Sequence, residues 1–292
     1  MVKTAATVPE LPEVESIVRG LRPLLVGRTI VSAEVMWARS VACPAAEQFS
    51  ANVAGRRMES VGRRGKYVVI GLDSGWLLFH LMMSGRLRWG SAGDAVGPYT
   101  RLVLDLDDGH RLRFDDPRKF GRAYLVDDPG QVTAGMGPEP LSEEFGLEDL
   151  RRRLARRSGR LKPVLVNQRF VAGIGNIYAD EILSWAQLHP LRRADTLRDD
   201  ELARLFVALR RVLERAIVGH GTTLDDGGYV NSQGESGQYQ DEIAVYGREG
   251  KPCRCCGASI ERIVIGQRSA HFCPVCQPER GESQSNSTGS IR

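Results

Sequence analysis

The stretch Pro9-Glu10-Leu11-Pro12-Glu13-Val14-Glu15 places two prolines and three carboxylates at the start of an amphipathic pattern. Apolar residues then recur with the period of one buried helical face, at Val14, Ile17, Val18 and Leu21. Proline suits the first turn of a helix because it lacks the N–H group, and carboxylates suit the positive end of the helix dipole. The stretch therefore predicts the N-terminus of a helix that ends near Gly27.

The same stretch predicts chemistry if Pro9 is the first residue of the chain. Its secondary amine would then be a nucleophile that forms an iminium with a sugar carbon, and Glu10 beside it would move protons. In the printed sequence Pro9 is internal, and an amide nitrogen has no usable lone pair. We therefore expect residues 1–8 to be removed by proteolysis or, more simply, to be a mis-assigned start. Valine is encoded by GUG, a bacterial start codon, so Val8 is the expected initiation position.

Composition favours a globular chain that acts on nucleic acid. The 292 residues are 42% hydrophobic, which is enough for two domains with buried cores. No apolar run has the length of a membrane helix, and residues 1–8 lack the centre of a secretory signal, so we expect a cytoplasmic protein without a membrane partner. We also expect a monomer. The net charge is only +4, but arginine is clustered at 56–66 and 151–162. One basic run alone is usually a solvated helix face, whereas several favour phosphate.

The predicted fold class is α+β. Between residues 29 and 128, short runs of branched and aromatic residues alternate with turn signals such as Asp73-Ser74-Gly75 and Asp107-Asp108-Gly109. This pattern predicts a β-sandwich with the first helix packed on it. The strands are expected at Thr29–Trp37, Lys66–Leu72, Trp76–Leu81, Leu102–Leu106, Arg111–Phe114 and Arg122–Val126.

A helical domain is expected next, after a linker at 130–141. Helical periodicity marks Leu147–Leu154, Ile177–Trp185 and a stripe from Leu202 to Ile217. The expected organisation is an N-terminal helix and sandwich at 9–130, a helical DNA-binding domain at 131–248 and a zinc finger at 249–277. The extension 1–8 and a disordered tail at 278–292 flank them.

A glycine-rich turn precedes one of these helices, in Gly173-Ile174-Gly175-Asn176. Such a turn presents free N–H groups at a helix N-terminus, where an anion such as a DNA phosphate binds. Asn176 is the expected cap of the helix. Alone, the turn is equally a packing feature.

Four cysteines have the strongest spacing in the chain. Cys253, Cys256, Cys273 and Cys276 form C-x2-C-x16-C-x2-C, which closes a tetrahedral site for one structural Zn²⁺. Cys255 offers a competing thiol, but Cys253 and Cys256 have the usual two-residue gap. Cys43 and Cys255 are expected to be structural, and Arg268 falls where the hairpin tip should lie.

Together these motifs, over residues 9–276, resemble the formamidopyrimidine-DNA glycosylases, whose N-terminal signature is Pro-Glu-Leu-Pro-Glu-Val-Glu. The resemblance implies a helix-two-turns-helix element around Gly173–Tyr178. It also implies a repair enzyme that removes oxidised purines, such as 8-oxoguanine and formamidopyrimidines, from double-stranded DNA and then cleaves the abasic strand. The resemblance implies that Pro9 is the Schiff-base nucleophile and that Glu10 is the proton donor. It implies that Lys66 is the donor for β-elimination, and that Arg268 binds phosphate and takes part in δ-elimination.

The resemblance also implies residues that contact DNA. Met83 and Phe120 would fill the gap left by the extruded base, while Arg118 would hydrogen-bond the orphaned partner base. Met82, by contrast, is expected in the core. The other implied contacts are Glu13 at the sugar and Asn176, Lys162 and, more weakly, Arg160 at phosphates. A glycine-rich lid is expected over Gly219–Tyr239.

The chain departs from the family pattern at Tyr99-Thr100-Arg101, where the family usually carries His-Thr-His. The resemblance therefore leaves open whether Tyr99 or Arg101 provides a phosphate contact. Two other functions also stay open. One is an endonuclease VIII-like glycosylase for oxidised pyrimidines, although Glu10-Leu11-Pro12 suits the purine branch. The other is a catalytically silent DNA-binding protein in which Pro9 remains internal.

Overall fold

The computed structural model describes residues 8–224 and 229–279. The predictions for residues 1–7, for the middle of the lid at 225–228 and for the tail at 280–292 lie outside the described residues. The chain divides into two compact units. Unit 1 comprises residues 1–145, 166–175 and 210–243, and unit 2 comprises residues 146–165, 176–209 and 244–292. The domain boundaries expected from the sequence stay a prediction.

Unit 1 contains the first helix and two sheets. Its helices are α1 (Leu11–Leu25), α2 (Ala46–Val53) and α3 (Gly130–Thr133). One sheet has the order β1-β7-β8-β6, with β1 (Ile30–Val35), β6 (Arg86–Ser91), β7 (Thr100–Leu106) and β8 (His110–Asp115). The other has the order β2-β9-β5-β4-β3, with β2 (Val41–Cys43), β3 (Met58–Arg64), β4 (Tyr67–Leu72), β5 (Trp76–His80) and β9 (Arg122–Val126).

Both sheets contribute to one hydrophobic core, which also holds the apolar face of α1. Val14, Ile17 and Leu21 of α1 are buried in it with Ile70 from one sheet and Leu104 from the other. This packing confirms the predicted sandwich, because each sheet buries one face in the shared core. The five-stranded sheet also buries Val69, Leu78 and Val126 on its other face. The hairpin turns at Asp73–Gly75 and Asp107–Gly109 are also confirmed, and their glycines have φ of +77° and +80°.

Five helices and strands of unit 1 are absent from the predictions: α2, α3, β2, β3 and β6. β3 overlaps the predicted basic cluster because its sequence, Met-Glu-Ser-Val-Gly-Arg-Arg, contains four polar residues and a glycine among seven positions. Its strand conformation comes from pairing with β4, in the register Val61↔Ile70 and Arg63↔Val68. Partner strands of this kind are not visible in local periodicity.

Unit 2 is mainly helical and carries a small hairpin. It contains α4 (Leu147–Leu154), α5 (Leu161–Leu165), α6 (Asn176–Trp185) and the hairpin of β10 (Glu261–Ile265) with β11 (Arg268–Phe272). The last long helix, α7 (Asp199–Val218), contributes residues to both units. The helix predictions at 147–154 and 177–185 are confirmed to within one residue. Among the helices of the described residues, none combines the length and apolarity needed to cross a membrane.

Candidate active site and DNA interface

The N-terminus of α1 is held by a buried carboxylate. Glu13 Oε2 accepts the N–H of Glu10 at 2.8 Å, and Glu13 Oε1 accepts the N–H of Thr222 at 2.8 Å. Glu13 is fully buried. Both carboxylate oxygens therefore bind backbone amides, one at the first turn of α1 and one at the described start of the lid segment. These two bonds differ from the predicted contact of Glu13 with the DNA sugar. In the structure, Glu13 positions the backbone of Glu10.

The segment 173–175 supplies the remaining partners of this helix end. The N–H of Leu11 donates to the carbonyl of Gly173 at 3.0 Å, which satisfies a helix-terminal donor. The carboxylate of Glu10 accepts the N–H of Gly175 at 2.5 Å. Gly173 has φ +86°, and a Cβ there would lie 2.7 Å from Leu11 Cβ, so this turn requires glycine.

Lys66 reaches the same place from the turn between β3 and β4. A Cβ on Gly175 would lie 2.5 Å from Lys66 Nζ and would overlap the Glu10 carboxyl group. Glycine at position 175 thus makes room for two ionisable side chains. Pro9, buried, directly precedes Glu10. The structure therefore brings together three of the four predicted catalytic residues, and we call Pro9, Glu10 and Lys66 the N-terminal centre.

The two arginines beside Lys66 are engaged by Glu139. Arg63 Nη1 lies 2.6 Å and Arg64 Nη1 2.8 Å from the Glu139 carboxylate, which also accepts the Gly65 N–H at 2.6 Å. Burial acts to raise the pKa of Glu139, but Arg63, the Gly65 amide and Arg64 together hold it below its ordinary value. This part of the predicted basic cluster fixes the turn that carries Lys66, and does not form an open phosphate site.

The predicted wedge Met83 lies in a turn after β5 that we call the methionine turn (residues 82–84). Met83 is half-buried there, whereas Met82 is 39% exposed and has φ +54°. The expectation that Met82 packs in the core is therefore wrong. The Met82 N–H donates to His80 Nδ1 at 3.1 Å. Burial and the charge of Lys66 lower the pKa of His80 to about 4, so the ring is neutral at pH 7 and its Nδ1 accepts this bond.

Arg118 and Phe120 lie in a second loop, the arginine loop (residues 116–121). The carboxylate of Asp116, fully buried, accepts the N–H of Arg118 at 3.1 Å and the N–H of Gly121 at 2.7 Å. Phe120 is 44% exposed, and the Arg118 guanidinium lies 5.2 Å from the centre of its ring. Asp116 also accepts a hydrogen bond from the Ser84 hydroxyl, which joins the arginine loop to the methionine turn.

Tyr99 and Arg101 occupy different environments next to this loop. Tyr99 is 55% exposed, while Arg101 is only 8% exposed. The Arg101 guanidinium donates to the carbonyls of Asp116 at 2.8 Å and Pro98 at 3.3 Å. Of the two residues, only Tyr99 presents its side chain at the surface, and Arg101 supports the base of the arginine loop.

In unit 2, Lys162 is buried and bound to Asp180. It is 1% exposed, forms an ion pair with Asp180 and donates to the carbonyl of Asn176 at 3.0 Å. The predicted phosphate contact needs an accessible ammonium, so the structure instead gives Lys162 a role in positioning the start of α6. Asn176 is partly exposed, its side-chain amide donates to Ser269 Oγ at 3.3 Å, and its Oδ1 has no hydrogen-bond partner within the described ranges 8–224 and 229–279.

The zinc hairpin is attached to α6 through the same aspartate. Asp180 Oδ2 accepts the N–H of His271 at 3.0 Å and lies 3.0 Å from its Nδ1. Arg268 is exposed at the first position of β11. The two residues between the strands, Gly266 and Gln267, have φ of +54° and +67°, as a tight two-residue hairpin turn requires. The predicted hairpin-tip position of Arg268 is confirmed.

The four predicted metal ligands meet beside this hairpin. The sulfur atoms of Cys253, Cys256, Cys273 and Cys276 all lie within 4.8 Å of one another. Four thiolates at about 2.3 Å from one zinc ion would be about 3.8 Å apart, so the set fits a tetrahedral ion with small adjustments. Cys255 and Cys43 are exposed.

The second basic cluster is only partly paired. Arg151 lies 3.2 Å from Glu148 and also pairs with Asp199, and Arg152 pairs with Asp149. Arg156, Arg157 and Arg160 are exposed on the segment that follows α4.

Two organising carboxylates were missed from the sequence, Asp116 and Asp180. Asp116 stands before a proline, a turn signal in which the side chain binds nearby backbone amides. Asp180 and its neighbour Glu181 are acids within a mostly apolar stretch of α6, and a buried acid requires a partner. The residue before a proline and the acid on a mostly apolar helix are both visible in the sequence, but neither shows which groups the carboxylate binds.

Comparison with known protein families accounts for most of this architecture. Residues 8–123 match the formamidopyrimidine-DNA glycosylase N-terminal domain and residues 136–226 match its H2TH domain. Residues 250–278 match a zinc finger found in FPG and IleRS.

The chain belongs to the formamidopyrimidine-DNA glycosylase family. It is 49% identical to the formamidopyrimidine-DNA glycosylase of Chloroflexus aggregans, over 92% of this chain and 98% of that protein. The crystal structure of the MutM (Fpg) protein from Thermus thermophilus superposes with a TM-score of 0.84 at 42% identity, covering 93% of this chain and 100% of that one.

A Lactococcus lactis Fpg mutant in complex with Fapy-dG-containing DNA superposes with a TM-score of 0.86 at 33% identity, covering 92% of this chain and 100% of that chain. By its family membership the protein is an enzyme, a DNA glycosylase that acts on damaged DNA. Its four clustered cysteines form the family's zinc finger, which binds one structural zinc ion.

Proposed function

We propose that this glycosylase removes oxidised purines, such as 8-oxoguanine and formamidopyrimidines, from double-stranded DNA and then cleaves the strand at the abasic site. The observation that carries the proposal is the N-terminal centre, in which the Glu10 carboxylate and Lys66 Nζ lie against Gly175, next to Pro9. A lesion of the purine class is further supported by the Fapy-dG-containing DNA bound to the Lactococcus lactis relative.

Pro9 is the proposed nucleophile. Its amine attacks C1′ of the sugar, the bond between C1′ and the base breaks, and the base departs with a proton. The ring then opens to an iminium that joins Pro9 to C1′. The iminium withdraws electrons from C2′, so a proton lost from C2′ leads to elimination of the 3′-phosphate, and a further elimination releases the 5′-phosphate. This step requires Pro9 to be the N-terminal residue, and the family match begins one residue before it, at Val8.

Glu10 and Lys66 are proposed to move the protons. Glu10 accepts a hydrogen bond from the Gly175 amide, which holds its carboxyl group next to Pro9 in a fixed position. A carboxyl group in this place can give a proton to the opening sugar and take one back later. Lys66 is held by its rigid turn and supplies a positive charge for phosphate and for β-elimination. Arg268, exposed on the zinc hairpin, is the proposed phosphate contact for δ-elimination.

The proposed DNA contacts are residues whose side chains are exposed or half-buried. Met83 and Phe120 fill the gap left by the extruded base, and Arg118 hydrogen-bonds the orphaned base. Tyr99, Asn176 and Arg160 are the proposed contacts to the DNA backbone. Glu13 and Lys162 act indirectly, because their charged groups are buried against protein partners. We also propose that the protein is monomeric and cytoplasmic, where its DNA target lies.

The test is a comparison of two duplexes that differ in one base. One carries 8-oxoguanine opposite cytosine, and the other carries an oxidised pyrimidine such as thymine glycol opposite adenine. With the chain that begins at Pro9, we expect faster strand cleavage of the 8-oxoguanine duplex. Preference for the pyrimidine lesion would support the endonuclease VIII-like alternative. Binding of abasic DNA without any cleavage would support the silent DNA-binding alternative.

A further inference from the structure

Met82 has a backbone conformation that side chains rarely adopt. Its φ is +54°, a region in which Cβ crowds the backbone of any residue except glycine. The comparable tight turns at Gly65, Gly75 and Gly109 carry glycine, with φ of +55°, +77° and +80°. A methionine therefore occupies a position where glycine would be free of strain. Retained backbone strain of this kind is concentrated at functional sites.

The strained conformation is fixed by a hydrogen bond on its N-terminal side. The Met82 N–H donates to His80 Nδ1 at 3.1 Å, and the His80 ring packs edge-on against Tyr67 with ring centres 4.6 Å apart. Because burial and Lys66 keep His80 neutral at pH 7, the acceptor nitrogen is maintained. The unusual conformation of Met82 is thus supported by His80, a residue whose pKa is also lowered by the charge of Lys66 in the N-terminal centre.

The side chain of Met82 is also exposed, against the expectation for an apolar residue beside a core. Its neighbour Leu81 is buried and Met83 is half-buried, so Met82 is the most exposed of the three. An unbranched, polarisable side chain of this kind adapts its shape to an irregular gap. Apolar side chains that proteins insert between base steps include methionine.

The methionine turn is bound to the loop that carries the proposed DNA contacts Arg118 and Phe120. Two residues after Met82, the Ser84 hydroxyl donates to Asp116, whose carboxylate also binds the N–H of Arg118. Asp116 therefore binds both the arginine loop and the methionine turn to which Met82 belongs.

We propose that Met82 is a second apolar wedge, which enters the DNA stack beside Met83 and helps to keep the damaged nucleotide extruded. The proposal rests on the proposed function, since it requires a flipped nucleotide. The family signature residues considered above leave Met82 without a role.

The experiment measures base unstacking without requiring catalysis. A duplex carries a tetrahydrofuran abasic-site analogue with 2-aminopurine in the adjacent position, and the fluorescence of 2-aminopurine rises when its stacking is lost. The full chain, Met82→Gly, Met82→Ala and Met82→Leu are compared at saturating protein. Gln187→Gly is the matched control, because Gln187 is exposed and has φ +56° but belongs to unit 2. Melting temperature and cleavage of an 8-oxoguanine duplex by the chain from Pro9 are measured in parallel.

We expect Met82→Gly and Met82→Ala to lose at least about half of the fluorescence rise, while Met82→Leu and Gln187→Gly retain it. Met82→Gly should at the same time raise the melting temperature by about 2 °C, because strain relief exceeds the entropy cost of glycine. A full fluorescence rise in both Met82→Gly and Met82→Ala overturns the proposal. Absence of cleavage by the parent chain would overturn the proposed function alone, since the fluorescence comparison still decides the role of Met82.

Discussion

The hydroxyl of Ser84 donates a hydrogen bond to the buried carboxylate of Asp116, and this bond joins two loops that lie 32 residues apart in the chain. One loop carries Met83 and the other carries Arg118 and Phe120. In the proposed function, Met83 and Arg118 act on one base pair at the same time, so the two loops must be held in a fixed mutual arrangement. The Ser84–Asp116 bond provides that arrangement.

Ser84→Ala should therefore slow base excision while leaving the fold intact. Loss of one hydrogen bond to a buried carboxylate costs about 1–2 kcal/mol, which corresponds to a rate decrease of roughly 5- to 30-fold if it falls on the extrusion step. Single-turnover release of 8-oxoguanine from duplex DNA measures this effect. Ser91→Ala is the control, since its hydroxyl accepts the N–H of Gly93 at 3.3 Å in an exposed turn. Equal rates for Ser84→Ala and Ser91→Ala would show that the bond has no role in excision.

Met83→Ala and Phe120→Ala should separate base extrusion from chemistry. Extrusion costs a few kcal/mol, so each truncation should slow excision from intact duplex by roughly tenfold or more. Cleavage of a preformed abasic site should be affected less, because that site has no base to extrude. Val31→Ala, which truncates an exposed side chain of β1, should change neither rate. If both substrates were slowed equally, Met83 and Phe120 would have structural roles only.

The purified protein should contain one zinc ion per chain. Cys276→Ser removes one of four ligands and should abolish stoichiometric zinc, whereas Cys255→Ser should retain it because Cys255 lies outside the ligand set. Elemental analysis of the two variants measures this difference, and DNA affinity should fall with the loss of metal. Full zinc content in Cys276→Ser, or loss of zinc in Cys255→Ser, would require a different ligand set.

The environment of His80 predicts a pH dependence of stability. Its pKa is lowered from 6.5 to about 4 by burial and by the charge of Lys66, so the unfolded chain binds a proton more readily than the folded one. The resulting stabilisation is complete above pH 6.5 and is lost as the pH falls toward 4, by up to about 3 kcal/mol. Urea unfolding at pH 7.5 and 5.0 should show a smaller decrease in His80→Asn, which keeps an acceptor for the Met82 N–H. An unchanged decrease would mean that His80 does not carry this dependence.

Local sequence patterns predicted the parts of this molecule whose physical causes are local. The capped start of α1, the two aspartate–glycine turns and the cysteine spacing each depend on residues a few positions apart. β3 and β6 were missed because their strand conformation depends on partners in the sheet, not on their own alternation.

The candidate site also depends on partners that are distant in the sequence. The residue types of Glu10 and Lys66 suggested chemistry, but the glycine that accommodates both lies 165 residues beyond Glu10. Lys162 was expected at a phosphate because it belongs to a basic run, and its burial follows from Asp180, 18 residues away on another helix. Charge in a sequence shows that an ionic partner is needed. It does not show whether that partner is DNA or the protein itself.

The most direct measurement is borohydride trapping on an 8-oxoguanine duplex, followed by peptide mapping of the adduct. Two preparations are compared, the chain as printed from Met1 and a chain whose first residue is Pro9, each verified by intact mass. The account predicts a trapped adduct only with the chain that begins at Pro9, and its peptide should carry the sugar on the nitrogen of Pro9. A trapped adduct from an intact chain that still begins at Met1, or an adduct that maps to Lys66 in both preparations, would contradict the assignment of Pro9 as the nucleophile.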